Sequence, residues 1–157
     1  MNTRRWLVVA ILSLSSGFAL FAGAAAAADT LTVPIAGTVF GLPESVYFSG
    51  SAQLSVKPTS TRLPGAKRRL VVSIDLHGIS GRGLSTGATY LATAEANLTR
   101  PFGPSDVVEL TFPFAVAGSP ATAVGRMAVA IFNFNYDPST GALTAATASV
   151  AAPKPAN

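Results

Sequence analysis

Apolar residues recur at every second position through most of this 157-residue chain, and that period restricts its possible folds more than any other property. A period of two puts successive side chains on opposite faces of an extended strand, so each run predicts a strand with one buried face. In "ESVYFSGSAQLSVK" one face collects Val46, Phe48, Ala52, Leu54 and Val56, and the other collects Tyr47, Ser49, Ser51, Gln53, Ser55 and Lys57. Further along, the inner faces read Leu70, Val72, Ile74 and Leu76, then Val108, Leu110, Phe112, Phe114 and Val116. "MAVAIFNFNY" places Ala128, Ala130, Phe132, Phe134 and Tyr136 together, and "LTVPIAGTV" does the same for Leu31, Val33, Ile35 and Val39.

Turn-forming segments separate the runs: "GLPES", "PTSTRLPGAKR", "RPFGPSD" and "GSPATAVG". "YDPSTGAL" is the sharpest hairpin signal, because Asp137 can bond forward to backbone amides, Pro138 presets the turn and Gly141 accepts a left-handed conformation. Pro34 and Pro113 cannot donate to a ladder, which predicts an edge or a bulge at each. "GISGRGLSTG" has glycines that invite comparison with a phosphate-binding turn, but its last glycine comes one position late for G-x-G-x-x-G. The segment after it, "ATYLATAEANL", alternates as a strand, with Tyr90, Ala92, Ala94, Ala96 and Leu98 on one face. The glycine-rich stretch therefore reads as a flexible loop between strands.

The fold class is all-β: one domain over residues 29–151, with residues 152–157 as a disordered tail. About seven antiparallel strands with one apolar face each predict a β-sandwich, with a closed up-and-down barrel as the alternative. An outer-membrane barrel would carry aromatic girdles on its lipid face. Here the single tryptophan is Trp6, tyrosines are few, and a proline-rich tail stands where a closing strand is expected. The processed chain is not expected to span a membrane.

Residues 1–28 have a different composition. Arg4 and Arg5 precede an apolar run from Trp6 to about Phe21, and a tract of small residues ends at Ala28. That is the build of a secretory signal peptide of bacterial type, read by the general secretion route and cut near Ala28. It predicts a periplasmic or extracellular protein. Removing it leaves 129 residues with a net charge of +2 and no cysteine, so neither disulfides nor thiolate metal sites are available. Such a small positive balance gives no reason to expect a nucleic-acid partner.

Catalytic constellations are scarce. His77, the only histidine, shares a strand face with Ser73 and Asp75. Residues four apart on a strand are about 13 Å apart, too far for Ser73 to be served by His77, although Asp75 can reach it. The seven acidic residues of the processed chain show no pairing suited to glycoside hydrolysis or metal binding, and Glu44, Asp106 and Asp137 sit at strand ends or turns, where capping and turn bonding explain them. No cofactor is expected. Arg62, Lys67, Arg68 and Arg69 form the one basic cluster, a candidate contact for an anionic envelope polymer. The expected role is non-catalytic, binding or structural, at the cell envelope, with an envelope protein or polymer as partner. A lipocalin-like carrier of an apolar ligand is the alternative, lined by Phe48, Phe112, Phe114, Phe132 and Phe134, and a hydrolase comes third. N-terminal sequencing of the exported protein is expected to begin at Asp29, and a start at Met1 would remove the export reading.

Overall fold

The computed structural model describes residues 29–59, 68–120 and 125–154. They form nine strands: β1 (Asp29–Val39), β2 (Val46–Pro58), β3 (Arg69–Asp75), β4 (Ile79–Gly83), β5 (Thr89–Ala92), β6 (Glu95–Pro101), β7 (Ser105–Val116), β8 (Arg126–Tyr136) and β9 (Leu143–Ala151). The all-β class expected from alternation holds, and the architecture is the closed barrel rather than the sandwich. All strands belong to one continuous sheet, and β1 pairs with β2 on one side and with β9 on the other.

Nine strands make seven staves. β2 pairs with β4 through its first half and with β3 through its second, because β3 and β4 are halves of one stave bent at residues 76–78. β5 and β6 are likewise halves of one stave, broken at residues 93–94. Each stave runs antiparallel to the next, and an odd number of them makes the closing pair, β1 with β9, parallel.

That closure is short and depends on one glycine. β1 and β9 register only at Ile35↔Ala148 and Ala36↔Ser149. Beside that pair, a Cβ on Gly37 would lie 2.0 Å from the Val150 carbonyl oxygen, so no side chain fits. The two prolines sit where their strands have one partner only. Pro34 faces Ser51 on β2 just outside the β9 pairing, and Pro113 faces Met127 on β8 just before β5 joins β7. A closed barrel therefore still has local edges, and the prolines occupy them.

The apolar faces point inward, opposite to those of an outer-membrane barrel. Phe48 meets Phe112 and Phe114 edge-on with centroids at 5.8 and 4.9 Å, and Phe132 stacks on Phe134 at 5.9 Å. Around the rings pack Leu54, Leu70, Ile74, Leu76 and Ile79, all essentially inaccessible. The five phenylalanines are buried in two groups, Phe48 with Phe112 and Phe114, and Phe132 with Phe134. Of the residues expected inward, Leu31 and Val116 are exposed, because both lie near the open ends of the barrel.

The glycine-rich stretch is not the loop expected. Its first half is β4, with Gly81 and Gly83 facing inward and buried. A Cβ on Gly81 would lie 2.6 Å from the Val46 Cγ1 and 2.8 Å from the Phe48 ring, so glycine there makes room for the phenylalanine. "YDPSTGAL" behaves as expected: the Asp137 carboxylate accepts from the Ser139 and Thr140 amides at 2.7 and 3.1 Å, and Gly141 has φ +81°.

Substituting Gly37→Ala is expected to lower stability by about 2–3 kcal/mol in urea unfolding, since the added methyl collides with backbone that cannot turn aside. Gly103→Ala, whose Cβ would meet nothing closer than 3.8 Å, serves as the near-neutral control.

Candidate functional site

One end of the barrel, here called the rim, carries the β1–β2 loop (residues 40–45), the β4–β5 loop (84–88), the end of β7, the start of β8 and the end of β9. The first two loops are joined by Glu44, the one buried charged residue of the described core. Its carboxylate accepts four hydrogen bonds: the Ser85 amide at 3.0 Å, the Thr86 amide at 2.9 Å, the Thr86 hydroxyl at 2.7 Å and the Tyr90 hydroxyl at 3.0 Å. The Glu44 carbonyl oxygen accepts from Arg126 Nη1 at 2.5 Å, and the Arg126 guanidinium lies over the Phe114 ring at 5.1 Å. Leu84 N–H donates to the Ser45 carbonyl at 2.9 Å and completes the join.

Local chemistry explains the placement. A carboxylate has about four lone-pair positions, and all are used here. The carboxyl group fits because Gly83 lies beneath it; a Cβ there would sit 2.2 Å from Glu44 Oε1. Hydrogen bonds from Thr86, and after them from Ser85 and Tyr90, hold the Glu44 pKa at about 2, below its ordinary value of 4.5, although burial acts in the opposite direction. A carboxylate so fully occupied is a fastener, not a proton acceptor for a substrate.

The fastened loops display apolar side chains to solvent. Phe40 is 73% exposed, Leu42 90% and Leu84 60%. Behind these tips runs an open groove of about 430 Å³ on the outer face of β2, β4 and β5, lined by Tyr47, Ser49, Ser80, Arg82 and Thr89. Tyr47 stands opposite Arg82 in the register, and Arg82 opposite Thr89, so the groove is built on rigid strand positions.

Elsewhere, side chains that could support catalysis are engaged with one another or lie apart. His77 Nδ1 lies 2.5 Å from Asp75 Oδ1, and the His77 amide donates to the same oxygen at 2.8 Å. The two bonds hold the Asp75 carboxyl below its usual range. Ser73 Oγ donates to Asn97 Oδ1 at 2.5 Å, so its partner is not the histidine. At the opposite end, Arg100 forms a two-point pair with Asp106, both bonds at 2.6 Å, bridging β6 and β7 where their pairing has lapsed. Nearby, the buried Tyr136 hydroxyl has no protein hydrogen-bond partner, and desolvation pushes its pKa up to about 12. No cluster of three or more potential metal ligands occurs among the described residues.

Of the basic cluster, Arg68 and Arg69 are at that opposite end, away from the rim. Arg62 and Lys67 lie outside the described residues. Arg68 donates to the carbonyls of Ser139 and Thr140 at 3.1 and 3.4 Å and lies over Phe102, so it helps hold the β8–β9 turn. Arg69 is exposed at the start of β3. Sequence reading missed the rim. Glu44 reads there as an ordinary turn acid, and its donors lie some forty residues further on.

A carboxylate whose folded pKa is depressed contributes its stabilisation fully above about 4.5 and loses it as the pH falls towards about 2. Glu44→Gln is therefore expected to melt at a lower temperature than wild type at neutral pH, with the difference shrinking across that interval. A difference independent of pH would show that the charge is not what fastens the loops. Compared with known families, curated proteins and solved structures, the chain matches none.

Proposed function

We propose that this chain is a non-catalytic, exported β-barrel domain that docks through its rim on a component of the bacterial cell envelope. The observation that carries the reading is the combination at the rim: three large apolar side chains are exposed on loops that Glu44 holds fixed. Apolar side chains grouped on a surface mark interaction sites, and fixing them beforehand lowers the ordering entropy lost on binding. The signal-like segment before Asp29 supports delivery to the envelope. A binding role fits the chemistry better than turnover, because Glu44 is occupied, Ser73 is bonded to Asn97, and the His77–Asp75 pair has no nucleophile bonded to it among the described residues. The carrier reading has less support, since the phenylalanines that would line a cavity pack on one another.

Co-sedimentation with washed envelope fragments tests the reading. The Leu42→Ser/Leu84→Ser variant is expected to lose roughly tenfold or more in binding, as burial of a leucine contributes about 1.5–3 kcal/mol. Its melting temperature should match that of wild type. Undiminished binding by the variant, or hydrolytic turnover abolished by Asp75→Ala or His77→Ala, would overturn it.

A further inference from the structure

We infer that the occupant of the rim is the anionic surface of a lipid bilayer; the inference rests on the rim being a docking surface and adds what it docks to. Of nine large apolar side chains exposed among the described residues, six belong to the rim. Phe40, Leu42 and Leu84 lie on its loops, and Tyr47, Val116 and Met127 lie at or next to a strand end that faces it. The exposed apolar surface is therefore gathered at one end of the barrel.

Charge is sorted the same way. The cations at the rim are Arg82 in the groove, Arg126 beneath Gly41, and Lys154 just beyond the end of β9. The only carboxylate there among the described residues is that of Glu44, whose oxygens are already bonded. The nearest others, on Asp75, Glu95 and Glu109, lie six or more residues along their strands from the rim ends. Among the described residues, an anionic partner meets cations and no free carboxylate on this end.

The order of chemistry along the barrel axis favours a bilayer over a protein. Outermost are apolar tips, standing on two separate loops. Next comes a level of Tyr47, Ser49, Ser80, Thr89 and Arg82, an aromatic ring with hydroxyls and a guanidinium. A bilayer presents the matching sequence in reverse, with headgroup phosphates outside and hydrocarbon beneath, and interfacial proteins bury apolar groups about 5–10 Å deep under a basic face. Tyrosine suits the boundary level because one end of it is apolar and the other wet. A stable protein interface instead needs about 800 Å² per partner with a packed apolar centre. Here the three apolar tips stand apart on two loops, and the wall directly behind them carries hydroxyls and Arg82.

The test uses the chain from Asp29 onward, since all nine strands lie between Asp29 and Ala151. It is floated with vesicles of phosphatidylethanolamine and phosphatidylglycerol, and in parallel with vesicles of phosphatidylcholine alone. Binding to the anionic vesicles, weaker at high salt, is expected. Leu42→Ser/Leu84→Ser should lose roughly tenfold or more. Arg82→Ser and Lys154→Ser should each lose roughly fivefold, on the anionic vesicles only. All these positions are exposed, and an unchanged melting temperature confirms that each variant folds. Rim-dependent binding to envelope fragments with none to protein-free vesicles would overturn the lipid inference and leave the docking reading standing. A dimer that the leucine variant converts to monomer would overturn it in favour of a second copy of the chain. Binding to neither vesicles nor fragments would remove both.

Discussion

The barrel exists because β1 can approach β9 closely enough to bond. Hydrophobic burial alone would be served by two facing sheets as well as by a cylinder, since each requires the same alternating strands. The difference lies at Gly37, where the Val150 carbonyl occupies the position a side chain would need. Once β1 is bonded on both sides, the sheet has no free end, and the apolar faces of all seven staves are committed to one interior. The phenylalanines then have to fit within a fixed circumference. Gly81 is the concession that lets the Phe48 ring pack against β4.

A second constraint acts at the rim. Loops that end a barrel normally contribute little order of their own, because they have few buried contacts. Here the donors that fix the β4–β5 loop converge on one carboxylate from the β1–β2 loop, with Tyr90 rising from the barrel wall to join them. Arg126 bonds the carbonyl of the same residue from β8. Three parts of the wall are thus joined through Glu44, and Phe40, Leu42 and Leu84 are displayed by a frame rather than by free chain. The opposite end uses the same kind of chemistry with charge on both sides, in the Arg100–Asp106 pair that spans the gap between β6 and β7.

Alternation made much of the fold readable. It assigned Val46, Phe48, Leu54, Val72, Ile74, Phe112, Phe132 and Phe134 to the interior, where all are buried, and placed Leu91 outward, where it is half exposed. Asp137 and Gly141 announced their turn through their own local chemistry. What could not be read depends on partners far along the chain. Sandwich and barrel share one pattern, and the contact that separates them joins residues more than a hundred positions apart. β4 was hidden because its inward positions, Gly81 and Gly83, have no apolar side chain to mark the period. Glu44 resembled any acid at a strand end because its donors are supplied by another loop. The exposure of Phe40 and Leu42 follows from that same distant fastening.

The parallel pairing of β1 with β9 also orients the molecule relative to its own ends. Both strands point the same way, so Asp29 begins at the pole away from the loops fastened by Glu44, while Ala151 finishes beside them. Eleven residues of β1, at about 3.4 Å each, separate the starting pole from those loops by roughly 35 Å along the strand. Anything joined ahead of Asp29 attaches at the pole opposite Phe40 and Leu42. A passenger fused ahead of Asp29 would leave the greasy tips clear, whereas one joined directly after Ala151 would crowd them.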